Sequence, residues 1–279
     1  MGPPHPFFAG CSLPLQSKRM LRTVCATRYV TPLREGGSLP AIIEADDLGL
    51  YVVKFRGAGQ GPLALLAELV AGEIGRALGL KVPEIVFTEI DAALGRNEPD
   101  QEIRDLLKAS VGLNLALDYL PGSTMFDLAA GDTADVQLAS LAVWFDAFIT
   151  NVDRTARNPN LLKWHKQPYF IDHGAALYFH HNWQNVNDMA QSPFSAIRDH
   201  VLLPWAGAIP DADASARERL SEGLFAEILE NVPDAWLKPE ADMQDPVAKR
   251  AAYVDYFTRR LSGSSNFVQE AIRAHTKLV

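Results

Sequence analysis

The chain is poor in cysteine, with Cys11 and Cys25 the only two in 279 residues. They stand in no metal-binding spacing and offer no disulfide framework, so a reducing cytoplasm is the expected compartment. Long apolar runs are missing too. None approaches the roughly 18 residues that span a bilayer, so no membrane partner is expected. Positive charge is in deficit: 26 Lys and Arg stand against 34 Asp and Glu, a net charge of −8. Surfaces that coat nucleic acid are basic, so no direct nucleic-acid partner is expected. No internal repeat or long linker is visible. His165, His173, His180 and His181 lack the helical H-x-x-x-H spacing and have no cysteine nearby, which disfavours zinc. His180, His181, Asn182 and Trp183 read instead as a polar loop.

What is present is an ordinary globular composition, 48% hydrophobic, in a chain long enough for one large domain or two lobes. Residues 1–19, MGPPHPFFAGCSLPLQSKR, hold four prolines and no apolar segment of signal-peptide type, and are expected to be a disordered extension. Patterned sequence begins at Met20. AIIEADDLGLYVVKF (41–55) predicts two short strands around an Asp-Asp-x-Gly turn. Pro62 and apolar residues at 65, 66, 69, 70, 74, 77 and 78 predict a helix over 62–80. Strands are expected at 81–90 and 112–120 with a polar helical segment between, and PGS (121–123) ends that group. A long apolar helix follows over 134–150, with Trp144, Phe145 and Phe148 as core. Short strands are expected at 161–164 and 168–172, then helices over 215–231, 246–261 and 265–277, the last capped by Ser264 or Ser265. A strand-rich first part and a helical second part, joined near 119–123, suggest two lobes with a cleft.

Chemistry-bearing residues appear along this frame in a definite order. Lys54 ends a strand. Glu68 lies on the next helix, where about 100° per residue puts it on one stripe with Gly72, Gly75 and Gly79. A stripe without bulk allows close approach, so Glu68 can face inward and pair with Lys54. Next comes NVDRTARN, with Asp153 five residues before Asn158. FIDHG then delivers Asp172 at a strand end, with Gly174 two residues on. Magnesium takes hard oxygen ligands, which an aspartate and an asparagine amide supply. A second aspartate can accept the proton of an attacking hydroxyl. Singly, each piece is ordinary: a solvated strand lysine, a surface glutamate, a chance D-x-x-x-x-N. Asn160 is an alternative to Asn158, which the spacing favours, and Arg154 and Arg157 either orient the loop, meet phosphate or are solvated. The ordered set is more specific than any member.

That order resembles the protein-kinase-like fold, an α+β bilobal architecture, and in finer detail the HipA-like kinases. LLAELVAGEIGRALGLKVPE is similar to the family's helix and the strand it runs into. NVDRTARN is similar to its catalytic loop and also to that of the phosphoinositide kinases, and FIDHG stands where kinases carry D-F-G. The resemblance implies a kinase domain over 20–279, with an N-lobe of about 20–120 and a C-lobe of about 121–279. It implies ATP and Mg2+ as cofactors. Lys54, positioned by Glu68, would contact the phosphates; Asp153 would be the base; Asn158 and Asp172 would hold metal. Backbone groups of Asp118, Tyr119 and Leu120 would meet adenine. Departures exist. No G-x-G-x-x-G loop is present, so REGGSLP (34–40) is the candidate phosphate loop, with Gly36 and Gly37 approaching phosphate and Ser38 as a site of autophosphorylation. No A-P-E element follows Asp172, and the chain is shorter than full HipA toxins, so neither toxin activity nor a HipB-type partner is implied. The acceptor is expected to be protein Ser or Thr, with a small-molecule or lipid kinase and a nucleotide-binding pseudokinase as alternatives.

Overall fold

The computed structural model describes residues 20–33, 39–59, 61–96, 98–239 and 243–278. The expected extension at 1–19 and the candidate loop residues Gly36, Gly37 and Ser38 lie outside them. The first part of the chain runs β1 (Thr23–Pro32), β2 (Ala41–Ala45), β3 (Leu50–Lys54), α1 (Pro62–Ala77), β4 (Ile85–Ile90), α2 (Gln101–Ala109) and β5 (Gly112–Asp118). The five strands close into a barrel in the order β1-β2-β3-β5-β4. Closure rests on β1, which pairs antiparallel with β2 from Ala26 to Pro32 and parallel with β4 through Thr23–Cys25. Its register slips between Ala26 and Arg28 and again between Tyr29 and Thr31. Such irregularities bend a strand and increase its twist, which lets one ten-residue strand serve both neighbours.

The second part is mainly helical. It runs β6 (Thr124–Met125), α3 (Val136–Phe148), β7 (Leu161–Trp164), β8 (Gln167–Phe170), α4 (Val186–Ala190), α5 (Ile209–Arg219), α6 (Glu222–Glu230), α7 (Pro246–Ser262) and α8 (Ser265–Thr276), with several 3-10 turns between Tyr178 and Trp205. The strands β6, β7 and β8 form a small antiparallel sheet. The fold is therefore mixed α+β. Where one helix is predicted over 215–231 there are two, because Ser221 turns extended (φ −151°) and its hydroxyl accepts the Leu224 N–H at 3.3 Å, starting α6. Ser264 occupies the N-cap of α8 but makes no capping bond; its own backbone is already helical (φ −55°).

Strand alternation separates two cores. Val24, Ile43, Tyr51, Val53, Val86 and Ala116 fill the barrel, together with Ile103 and Leu107 of α2. Leu115 and Leu117 face the other way, into a larger core with α1, α3 and the C-terminal helices. Trp144 sits at its centre, stacked on Phe148 at 5.1 Å and bonding Asp213 through its indole N–H at 2.8 Å. The predicted small-residue stripe of α1 lies on this side. A Cβ at Gly72 would come within 2.5 Å of Ile85 Cδ1, and one at Gly75 within 3.2 Å of Phe145 Cζ.

The end of α1 is set by Gly79. Its N–H donates to Arg76 O (3.0 Å) and the Leu80 N–H to Gly75 O (2.9 Å), a Schellman closure that needs the left-handed φ of +89°. Gly79→Ala is expected to lower the unfolding free energy by about 1 kcal/mol, read from the urea midpoint at unchanged m-value.

Candidate active site

Barrel register decides where Lys54 points. Lys54 is opposite Leu115 and Val53 opposite Ala116, so Lys54 leaves the barrel on the face Leu115 shares with the larger core. There α1 presents Glu68, fully buried among leucines and alanines. The Lys54 ammonium lies 2.6 Å from Glu68 Oε2 and also bonds Asp172 Oδ1. The backbone N–H of His173 donates to Glu68 Oε2 at 2.8 Å, and its ring Nδ1 lies 3.2 Å from Oε1. Burial alone would lower the Lys54 pKa, but Glu68 and then Asp172 outweigh it and hold the ammonium above its ordinary value. Burial alone would raise Glu68; the charge of Lys54, followed by the bond from His173, holds it below the usual carboxylate range. One ammonium between two carboxylates leaves a net negative charge, and it opens to solvent at Asp172, whose side chain is 46% exposed.

The second cluster is the loop after α3. Asp153 accepts Asn158 Nδ2 at 2.8 Å and Asn160 Nδ2 at 3.3 Å, both on Oδ2. A carboxylate only accepts, so each amide turns its nitrogen to Asp153 and its oxygen away. Asp153 Oδ1 makes no hydrogen bond among the described residues. Asn160 and Asn158 therefore both reach Asp153, and spacing alone does not separate them.

The two clusters are tied together. Ile171 N–H donates to Asn160 O at 3.1 Å. Arg154, fully buried, bonds Asp146 Oδ2 through Nε at 2.6 Å, while its Nη1 donates to the carbonyl of Asn160. Burial raises Asp146, but the charge of Arg154 and a bond from His200 bring it below the usual range. Asp172 lies two residues beyond β8 rather than at its end, with φ +56°. The unusual conformation is thus on the aspartate. Gly174 has no positive φ, and a Cβ there would meet nothing closer than 3.6 Å.

At the end of β5, Asp118 N–H donates to Glu84 O (2.8 Å) and Tyr119 N–H to Leu50 O (3.0 Å). Of the three backbone N–H groups expected to meet a base, only that of Leu120 makes no hydrogen bond among the described residues. The Asp118 carboxyl is pushed up by burial, with Glu84 adding.

His180 is buried, 3.1 Å from Tyr253 Oη, so the expected polar loop contributes it to the interior while His181 and Asn182 stay exposed. Arg157 is exposed. Sequence reasoning missed Asp146, Asn151, His173 and His200 as parts of the site; the signal was a lone aspartate inside the apolar run of α3.

A cavity of about 530 Å3 lies elsewhere, lined by Lys81, Phe126, Leu138, Leu161, Lys163 and Pro168 among others, and touches none of Lys54, Glu68, Asp153 or Asp172. Chemistry, not volume, identifies the site. Among the described residues no three His, Cys, Asp or Glu side chains converge as a metal cluster. The residues expected to hold metal, Asp172 and Asn158, offer hard oxygens only and would not complete a coordination shell by themselves. They fit a divalent cation that keeps water and phosphate oxygens as its other ligands.

A family model described as HipA-like kinase matches residues 27–269. No curated protein matches the chain. Among solved structures, the proinflammatory kinase CtkA of Helicobacter pylori is similar at a TM-score of 0.50 and 14% identity, over 92% of this chain and 98% of that one. The Golgi casein kinase, solved with Mn and ADP bound, has a TM-score of 0.44 at 11% identity, over 90% and 73%. No helix among the described residues is long and apolar enough to cross a membrane.

The buried groups predict an acid-sensitive fold. Burial, with His181 and Lys249 adding, lowers His180 from 6.5 to about 3, so below pH 6.5 the unfolded chain takes up a proton the folded one refuses. Glu68 and Asp146, ordinarily at 4.5 and 3.8, are both depressed, so their stabilisation is complete above those values and lost below them. Unfolding free energy measured in urea across pH 3 to 8 is expected to fall below pH 6.5 and more steeply below pH 4.5.

Proposed function

The chain belongs to the HipA-like kinases, and on that footing we propose that it transfers the γ-phosphate of ATP, with magnesium, to a protein serine or threonine hydroxyl. The observation that carries this reading is the Lys54 junction. A strand lysine meets a helix glutamate 14 residues on and an aspartate 118 residues on, next to a loop whose aspartate is held by two asparagine amides. Phosphoryl transfer asks a protein mainly for positioning and charge neutralisation, and these residue types supply both.

In this reading the barrel with α1 and α2 forms one lobe and the helical part from residue 121 the other. Lys54, held by Glu68, meets phosphate oxygens, which then compete with Asp172 for the ammonium. Asp172 and Asn158 are the residues that would hold magnesium, which supplies neutralisation of phosphate charge when bound. Asp153 aligns the acceptor hydroxyl with its unbonded Oδ1 and takes its proton, while Asn158 and Asn160 fix the carboxylate through Oδ2. The backbone at the end of β5 and just past it, at Asp118, Tyr119 and Leu120, faces the adenine base, with the Leu120 N–H as its donor. Gly36, Gly37 and Ser38 are proposed, from sequence alone, to cover the phosphates. The choice of protein Ser or Thr as acceptor rests on family membership.

Incubation with Mg-ATP and mass spectrometry tests this. The wild-type chain is expected to phosphorylate itself or an added protein. Asp153→Asn, of the same shape, is expected to lower turnover by about 10²- to 10⁴-fold while ATP affinity holds. Phosphate found only on small molecules would overturn the acceptor assignment. Undiminished transfer by Asp153→Asn would overturn the assigned base, and no transfer at all would overturn the enzyme reading.

A further inference from the structure

The proposed chemistry leaves Arg154 without a task, yet it is the buried arginine of the loop, while Arg157 is exposed. The Arg154 guanidinium is buried over the Phe170 ring, 5.1 Å from the centroid. Besides the bonds to Asp146 and the Asn160 carbonyl, Nη1 faces Ile171 O at 3.4 Å and Pro159 O at 3.5 Å. Asn160 and Asp172, the residues on either side of these contacts, both have left-handed backbone, φ +49° and +56°. Such conformations disfavour a residue that carries a Cβ by about 1 kcal/mol and persist where the surroundings over-determine them. The Arg154 carbonyl contacts lie where they can do this. The Asn160 carbonyl belongs to the peptide that follows Asn160, and the Ile171 carbonyl to the peptide that precedes Asp172. Holding these two peptide planes holds one backbone torsion of each residue.

The anchor of the guanidinium is equally specific. Asp146 accepts Asn151 Nδ2 at 2.9 Å on Oδ1, and His200 Nε2 at 2.8 Å on Oδ2. His200 Nδ1 accepts the Leu202 N–H at 3.0 Å, so Nε2 carries the proton and the contact with Asp146 is a donated hydrogen bond. Asn151 in turn accepts the Asp153 N–H at 3.1 Å. One buried carboxylate thus reaches Asp153 through Asn151, and Asp172 through Arg154.

We propose that Arg154, anchored by Asp146, is a positioning residue that holds Asn160 and Asp172 in their left-handed conformations and thereby sets the affinity of the site for a divalent cation. The inference rests on the kinase reading for the identity of the ligand. Lysine keeps the charge but not the fork that bridges a carboxylate and separate carbonyls. Arg154→Lys is therefore expected to let Asp172 relax, leaving Lys54 and Asp153 in place.

The test is binding rather than turnover. The affinity of a fluorescent ATP analogue is measured in EDTA and across a Mg2+ titration, with Mn2+ binding followed by electron paramagnetic resonance. Removing an outer partner of a metal ligand typically weakens metal binding about 10- to 100-fold. Arg154→Lys should raise the half-saturating Mg2+ by at least about tenfold, leaving affinity in EDTA within about twofold. Asp146→Asn, which keeps the shape of the anchor and removes its charge, should move it the same way, and decides alone if Arg154→Lys does not fold. Variants that melt earlier yet keep the wild-type Mg2+ dependence would overturn the proposal and leave Arg154 a purely structural residue. A wild-type chain that binds the nucleotide equally with and without Mg2+ would overturn the metal role itself, and one that binds no nucleotide would overturn the kinase reading beneath it.

Discussion

One buried ammonium joins parts of this chain that lie far apart in sequence. Lys54 ends a barrel strand, Glu68 sits in the first helix, and Asp172 follows the last hairpin; both carboxylates converge on one nitrogen. Neither Lys54 nor Glu68 would be tolerated there alone, since stranding one partner of a buried ion pair typically costs about 3–5 kcal/mol. The fold therefore depends on their meeting. The meeting in turn depends on the register that turns Lys54 out of the barrel and on the bulk-free side of α1 at Gly72 and Gly75 that seats the helix on Ile85 and Phe145.

A second ion pair performs the same task one layer deeper. Asp146 and Arg154 bury a charge pair beneath the loop that carries Asp153 and beside the peptide that leads into Asp172. The arrangement separates two roles that sequence runs together: groups that face outward with unused oxygens, Asp153 and Asp172, and groups whose polar atoms are spent on holding them, Glu68, Asp146 and Asn151. Left-handed backbone occurs at Asp172 of the first set and at Asn160, and also at Thr150, which precedes Asn151. Placing strain where ligands are expected, with a buried hydrogen-bond network behind it, is a common division of labour in sites that must be ready before a ligand arrives.

Much of this was legible from the sequence, for identifiable reasons. The helices with strong apolar periodicity, α1 and α3, and the β2–β3 and β7–β8 hairpins follow from local pattern. Lys54, Glu68, Asp153 and Asp172 were legible as an ordered set because Lys54 ends such a strand, Glu68 lies on the inner face of such a helix, and Asp153 and Asp172 follow shortly after α3 and β8. What local pattern does not carry is long-range pairing. The parallel β1–β4 closure links residues 23–25 to 87–89 with no turn between them. The break between α5 and α6 hangs on one serine cap. Asp146 was missed as a site residue because a lone aspartate in an apolar helix marks a buried charge without saying what it serves; its partners, Arg154, Asn151 and His200, reveal its use.

The most direct measurement is a crystal structure of the chain with magnesium and a non-hydrolysable ATP analogue. The account predicts phosphate oxygens at Lys54, a metal ion bound by Asp172 and Asn158, the base against the backbone at Leu120, and Asp153 facing the γ-phosphate with Oδ1 free. A nucleotide bound away from Lys54, or a metal ion that leaves Asp172 without a ligand role, would contradict it.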